Sequence, residues 1–236
     1  MRVLRGEGPV LRIGHRGAAA LAPENTIPAL RAAVELGVDL VEFDVVKGRE
    51  GQLVLAHSAA HLPLGGPSLD DALGYLAEAG VGAHVDLKES GFEAEVARAL
   101  QRHEMVARSL VSSLDWSSLR DLRAHEPSVA IGISYPEDRY GVGRRRALAP
   151  LVSAGLFAMQ RVLPRLVLRW LAHAGASAAV LHHALVTPAV VRSCHSRGAA
   201  VWAWTVNDAE VATRLADWGA DAIITDDPRI LRGRST

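Results

Sequence analysis

The sequence predicts an α/β fold, a TIM (β/α)8 barrel in a single domain spanning 1-236. Three observations predict it. Short β-branched runs alternate with helical stretches along the whole chain. Eight such runs can be counted, the number that a closed parallel barrel requires. The length of 236 residues is near that of one barrel, and a 49% apolar composition can fill its core.

The strands are expected at Val10–Gly14, Leu40–Val45, Ala83–Leu87, Ser109–Ser113, Ala130–Ser134, Ala178–Leu181, Ala200–Thr205 and Ala222–Thr225. Helix punctuation separates them. Pro28 stands where a first turn tolerates proline, Ile27, Leu30 and Val34 share a face, and Gly37 ends the pattern. Ser68 and Asp71 have capping-box spacing ahead of Leu73 and Leu76, and Gly80 follows. Thr187-Pro188 opens a helix that stops by Gly198, and Asn207-Asp208 opens one that stops at Gly219. The stretch from Glu137 to Ala176 is long for one βα unit and is expected to hold an extra helix or a lid over the mouth. A doubly wound open sheet is the main alternative, weakened because no G-x-G-x-x-G follows the first strand. No linker, low-complexity tract or internal repeat interrupts the order.

Composition narrows the partners. Lys plus Arg equals Asp plus Glu at 26 each, so no global charge draws the chain to nucleic acid or an anionic membrane, although local patches could. Cys194 is the single cysteine; it fits a reducing cytoplasm and reads as a packing residue, not a nucleophile. Met1 to Gly14 carries Arg2, Arg5 and Glu7 and no apolar h-region, so no signal peptide is expected, and the location is read as cytoplasmic. The longest apolar run, Ala147 to Met159, is too short to span a bilayer and is bounded by Arg144, Arg145, Arg146 and Arg161.

A barrel places its chemistry at the C-terminal ends of its strands. Glu42 and Asp44 are alternate residues of the second strand and share a side, which in a barrel is the inside. Two buried carboxylates repel, and a divalent cation resolves the conflict. Asp86 on the adjacent strand adds a third oxygen, and an all-carboxylate set suits Mg²⁺, Ca²⁺ or Mn²⁺ better than Zn²⁺. The competing reading is a structural ion network in which Arg16 and Lys88 neutralise these acids. His15 and His57 each follow an apolar strand-like run, and paired imidazoles can serve as general base and general acid. Arg16 and Lys88 are suited to hold a phosphate. Trp204 closes the seventh strand, where its face either contacts the carbon skeleton of an alcohol or packs at the rim. The other histidines, His61, His84, His103 and His125 among them, read as incidental, and nothing specific supports a role for His182 or His183.

At these residues the sequence resembles the glycerophosphodiester phosphodiesterase family. The matching motifs are His15-Arg16-Gly17, Pro23-Glu24-Asn25-Thr26, Glu42-Phe43-Asp44, His57, Pro67 to Leu73, Asp86-Leu87-Lys88, Ser113-Leu114-Asp115, Trp204 to Asn207 and Gly219 to Asp226. Their order and spacing hold from residue 13 to residue 228. The resemblance implies a barrel that hydrolyses glycerophosphodiesters to an alcohol and glycerol 3-phosphate with a divalent cation. It implies Glu42, Asp44 and Asp86 as metal ligands, His15 and His57 as the acid-base pair, Arg16 and Lys88 as phosphate holders, and Glu24 as an organiser of the metal side.

The chain departs from the family pattern in three places. Ser58 follows the second histidine where Asp is usual, which bears on the orientation of His57. The segment between His57 and Pro67 is only nine residues, a shortened loop after the second strand that implies a more open pocket. The third ligand is Asp86 where Glu is common. The open pocket admits an alternative, a lysophospholipase D-like activity on lysophospholipids, with Arg144 to Trp170 touching a membrane. An ordinary barrel helix with snorkelling arginines is the preferred reading of that segment. A non-catalytic phosphodiester-binding barrel is the third expectation, supported by Ser58 alone.

Overall fold

The computed structural model describes residues 3–62, 65–136 and 149–231. Eight parallel strands close into a barrel: β1 (Leu11–Gly14), β2 (Leu40–Lys47), β4 (Gly82–Leu87), β5 (Ser109–Ser113), β6 (Ala130–Tyr135), β7 (Ala178–His182), β8 (Ala200–Trp204) and β9 (Ala222–Thr225). The order runs β1-β9-β8-β7-β6-β5-β4-β2, and a β1–β2 pairing closes the ring. All eight expected strands are present, with ends displaced by at most two residues. A ninth strand, β3 (Leu53–Leu55), pairs antiparallel with the far half of β2, Val45 opposite Leu55 and Lys47 opposite Leu53. The apolar run ahead of His57 is therefore a strand, but one outside the barrel ring.

The helices start where side chains can satisfy their first N–H groups. Thr26 caps α1 (Ile27–Glu35) with Pro28 in its first turn. Ser68 and Asp71 form a reciprocal capping box on α2 (Leu69–Ala79), and Gly80 ends it in the left-handed conformation. Then follow α3 (Glu93–Arg102), α4 (Trp116–His125) and α5 (Ala149–Ala174). Thr187 caps α6 (Pro188–His195), and Asp208 caps α7 (Ala209–Asp217). Of the stretch from Glu137 to Ala176, where an extra helix or a lid is expected, the described residues form the 26-residue helix α5. Residues 137–148, where a lid could begin, lie outside the described residues.

Alternation along the strands divides the molecule into two apolar layers. Outward-facing Val41, Phe43 and Val45 of β2 pack with the helices in the main core. Inward-facing Ile13, Leu40, Leu110, Val180, Trp202, Ala222 and Ile224 fill the lower barrel. The floor is closed by the N-terminal segment. Trp202 Nε1 donates to Val3 O at 3.2 Å, and the Arg5 N–H donates to Asp221 at 3.0 Å. Two residues above this plug on several strands, the same inward direction is taken by polar groups. Ile13 is followed by His15, Leu40 by Glu42 and Asp44, Leu110 by Ser112, and Ile224 by Asp226. The lower barrel thus sets the height at which the chemistry begins.

Cys194 is buried in the main core, where burial, and secondarily Asp221, pushes its thiol up to about 12. The expected outcome is no reaction of the native protein with a disulfide reagent near neutral pH and a full equivalent after denaturation. Rapid native labelling would contradict this packing.

Candidate active site

The β1–α1 turn makes one wall of the site. Arg16 sits at φ 49° and Asn25 at φ 58°, left-handed conformations that a side chain adopts only when its surroundings hold it there. Gly17, at φ 88°, lies against α1 so closely that a Cβ would stand 2.5 Å from the Ala29 carbonyl carbon. The tight turn aims the Arg16 N–H at Glu42 Oε2, 2.7 Å away. It also holds Asn25 across from Asp44. The Asn25 amide donates to Asp44 Oδ2 at 3.0 Å, and the Asp44 N–H donates back to Asn25 Oδ1 at 3.0 Å.

Register on the opposite side joins the acids. Asp44 of β2 and Asp86 of β4 are direct parallel partners. Glu42, Asp44 and Asp86 are all buried, and each offers an oxygen within 4.8 Å of the others. Lys88 lies between two of them, its Nζ 2.7 Å from Asp44 Oδ1 and 2.5 Å from Asp86 Oδ2. Arg16 Nε is 3.0 Å from Asp44 Oδ2. The cationic network weighed as an alternative is therefore present, but it satisfies the three acids unequally.

Asp44 takes most of the positive charge. Burial works to raise its pKa, but Lys88, the His57 hydrogen bond and Arg16 outweigh burial and hold it well below the usual carboxylate range. Burial also opposes the charge on Lys88, yet Asp86 and Asp44 raise it above the ordinary lysine value. Glu42 has no comparable cation. Burial, with Asp44 and Asp86 nearby, pushes its carboxyl up to about 7 against the pull of His15 and Lys88. The pocket is thus short of positive charge at Glu42. A hard divalent cation among these three carboxylates would supply it, so the donor set fits such an ion.

Both histidines reach this acid cluster. His15 Nε2 is 3.9 Å from Glu42, and its Nδ1 is 2.6 Å from Asp226 Oδ1. Burial would lower the His15 pKa, but Glu42 and the Asp226 hydrogen bond raise it overall. Asp226 is held in turn by Asn207, whose amide donates to Oδ2 at 2.5 Å. His57 follows β3 at the rim, with its side chain 52% exposed. Its Nδ1 is 3.3 Å from Asp44 and 2.9 Å from Arg16 Nη2. This nitrogen can donate to Asp44 or accept from Arg16, not both at once, and either bond turns Nε2 away from these two partners. The two imidazoles therefore meet different carboxylates of the cluster, His15 at Glu42 and His57 at Asp44.

The remaining expected residues lie nearby in different ways. Glu24 is half exposed and binds Arg16 Nη1 at 2.8 Å, so it bears on the site by holding the guanidinium. Trp204 commits its indole N–H to Val180 O at 3.1 Å, meets the His182 ring edge-on and packs on the apolar plug. Asp226, Asn25 and Asn207 were present in the matched motifs without an assigned part. His84, read as incidental, lies directly under the acids. Its Nε2 is 2.8 Å from Ser112 Oγ, which donates to Asp86 at 2.5 Å, while Ser134 donates to the same oxygen at 3.2 Å. Burial pushes His84 down to about 4, so the ring is neutral and fixes the direction of the serine hydroxyl. Alternation from Leu110 to Ser112 was the available sequence signal for this shelf.

The model of the glycerophosphoryl diester phosphodiesterase family matches residues 15–142 and 81–230. The chain belongs to that family. Its members' enzyme class, phosphoric diester hydrolase, is the one the sequence led us to expect. A glycerophosphodiester phosphodiesterase of Caldanaerobacter subterraneus is 26% identical over 94% of this chain and 96% of its own length. The fold agrees with a phosphodiesterase of Oleispira antarctica solved with the product sn-glycerol-3-phosphate, at TM-score 0.75, 22% identity and coverage of 94% and 96% of the two chains. It agrees also with a glycerophosphodiester phosphodiesterase of Agrobacterium tumefaciens, at TM-score 0.71, 21% identity and coverage of 94% and 98%. For this member of the glycerophosphoryl diester phosphodiesterases, the match spans both the histidine turn at β1 and the Asp226 end of β9.

Asn25 bonds Asp44 twice. Asn25→Ala removes one bond to a buried carboxylate and one from its backbone N–H, and strains a left-handed position. A loss of about 2–4 kcal/mol in urea unfolding is expected. A change within error would mean that Asp44 is held without it.

Proposed function

We propose that this chain, acting as one catalytic domain, hydrolyses glycerophosphodiesters to an alcohol and glycerol 3-phosphate. The observation that carries the reading is the convergence of His15 and His57 on three buried carboxylates whose oxygens lie within 4.8 Å of one another. Binding alone does not need two imidazoles at one acid cluster, which argues against a non-catalytic barrel.

Glu42, Asp44 and Asp86 would hold a divalent cation, Mg²⁺, Ca²⁺ or Mn²⁺. Bound there, it would act as a Lewis acid on a phosphoryl oxygen and offset the charge that develops. The protein's own groups carry the rest. Arg16 and Lys88 border the acids and present positive charge to the phosphate. Asp226 orients His15 through Nδ1 and leaves Nε2 for proton transfer. Arg16 and Asp44 orient His57 through its Nδ1 in the same way. One ring takes the proton of the attacking oxygen, either water or a hydroxyl of the substrate, and the other protonates the leaving alcohol.

The test is turnover of glycerophosphocholine, read as released glycerol 3-phosphate, with and without a chelator. Wild type is expected to lose activity on chelation, and His15→Ala and His57→Ala each to lose ~10²–10⁴-fold. Equal rates in all of these would end the proposal. Lysophospholipids are the second substrate class, favoured by the exposed apolar and basic side of α5. A lysophosphatidylcholine arm in the same assay separates the two classes.

A further inference from the structure

The chain is neutral as a whole, but its charges are segregated. From Tyr140 to Asn207 there are eight arginines, no lysine and no Asp or Glu. The chain total is 26 basic and 26 acidic residues, so the rest holds 26 − 8 = 18 basic against 26 acidic. A charge of +8 in this segment therefore faces −8 in the remainder, histidines taken as neutral. The described heart of the basic segment is α5.

The inner and outer sides of α5 differ sharply. Leu163, Val167 and Leu171 are buried against the barrel, while Arg161, Arg165 and Arg169 recur every fourth residue on the solvent side. None of these three arginines forms an ion pair with a described residue. Arg161 instead lies over the Phe157 ring, 4.3 Å from its centroid. Arginines that merely snorkel along a barrel helix, the reading the sequence favours, would not require exposed apolar neighbours. Here Phe157 is 57% exposed and Val162 48%.

Position adds a second observation. Gln160 donates to Ala184 O at 2.7 Å, just past the upper end of β7. Residues 149–159 therefore rise above that point, roughly 16 Å at 1.5 Å per residue. Among the described residues, the exposed large apolar side chains are Leu21, Leu114, Phe157 and Val162. Leu21 is in the β1–α1 connection and Leu114 in the β5–α4 connection. Both connections lie on the C-terminal face that carries the site, and Phe157 and Val162 lie within one turn of Gln160.

We infer that this face docks on an anionic phospholipid bilayer, with the arginine stripe of α5 against the headgroups and Phe157 at the acyl boundary. Charge complementarity selects an anionic partner, and the apolar tips select a bilayer over a nucleic acid, whose phosphates offer them nothing. The contact is interfacial, since no helix among the described residues is long and apolar enough to cross a membrane. Docking goes beyond the proposed hydrolysis, and it is read without turnover, so the two can fail separately.

The experiment is co-sedimentation of the full chain with phosphatidylcholine vesicles and with mixed phosphatidylcholine–phosphatidylglycerol vesicles, at low and high salt. Binding is expected only to the mixed vesicles and is expected to weaken with salt. R161E/R165E/R169E should lower the partition on the order of 100-fold, at about fivefold per arginine. Phe157→Ser should lower it as well, and circular dichroism would establish that each variant is folded. Equal pelleting with and without anionic lipid would overturn the inference, as would wild-type partition of the folded triple variant. Unchanged partition of Phe157→Ser, together with equally tight binding of a duplex DNA oligonucleotide, would reassign the surface to polyanions in general.

Discussion

Asp44 is the charge around which the upper barrel is organised. Its carboxylate is fully buried, and burying an ionised group is tolerable only when it is densely paired. Lys88, His57, and Arg16 with Asn25 in the β1–α1 turn meet that demand from three different segments of the chain. Each partner is thereby fixed by the same group. The left-handed backbone at Arg16 and Asn25 makes sense in this light, because the strain is held by bonds to a charge that could not otherwise stay ionised. Fold and site are not separable here: the turn that aligns His15 is also the turn that solvates Asp44.

The pairing also creates an imbalance. Asp44 and Asp86 share Lys88, while Glu42 receives one backbone N–H and a distant imidazole. A site built purely for stability would distribute its cations evenly. The shortfall at Glu42 is instead what a pocket shaped to receive another positive charge would show. The neutral His84 and two serine hydroxyls below Asp86 act in the same direction, the serines holding its Oδ1 without neutralising it.

The barrel and the five central residues were legible because their signals are local. A β-branched run announces each strand, Ser68 with Asp71 announces α2, and alternate positions put Glu42 and Asp44 on one side. The support of His15 was not assigned, because Asp226 lies 211 residues away and meets it only when β1 and β9 pair to close the ring. Asn25 was masked by its motif: a helix-entry residue by position, it is a ligand of a buried charge by contact. Alternation from Leu110 put Ser112 on the inner side, but a hydroxyl there does not name its partner, and the bond to Asp86 depends on the β4–β5 register. The run before His57 was visible as a strand-like segment, but its antiparallel attachment outside the ring depends on β2 outlasting β1, which propensity does not reveal.

That attachment separates two kinds of stability. His15 stands on a strand bonded on both edges within the ring, whereas His57 hangs from three residues joined to the tip of β2 and a single bridge from Val54 to Ser68. Small peripheral units of this kind open with far less free energy than the whole domain requires. Amide hydrogens of Val54 and Leu55 would accordingly exchange faster than those of the central ladder. On warming, the rim imidazole would drift out of register while the barrel remained intact, so the temperature ceiling of this molecule is set at its edge before its core.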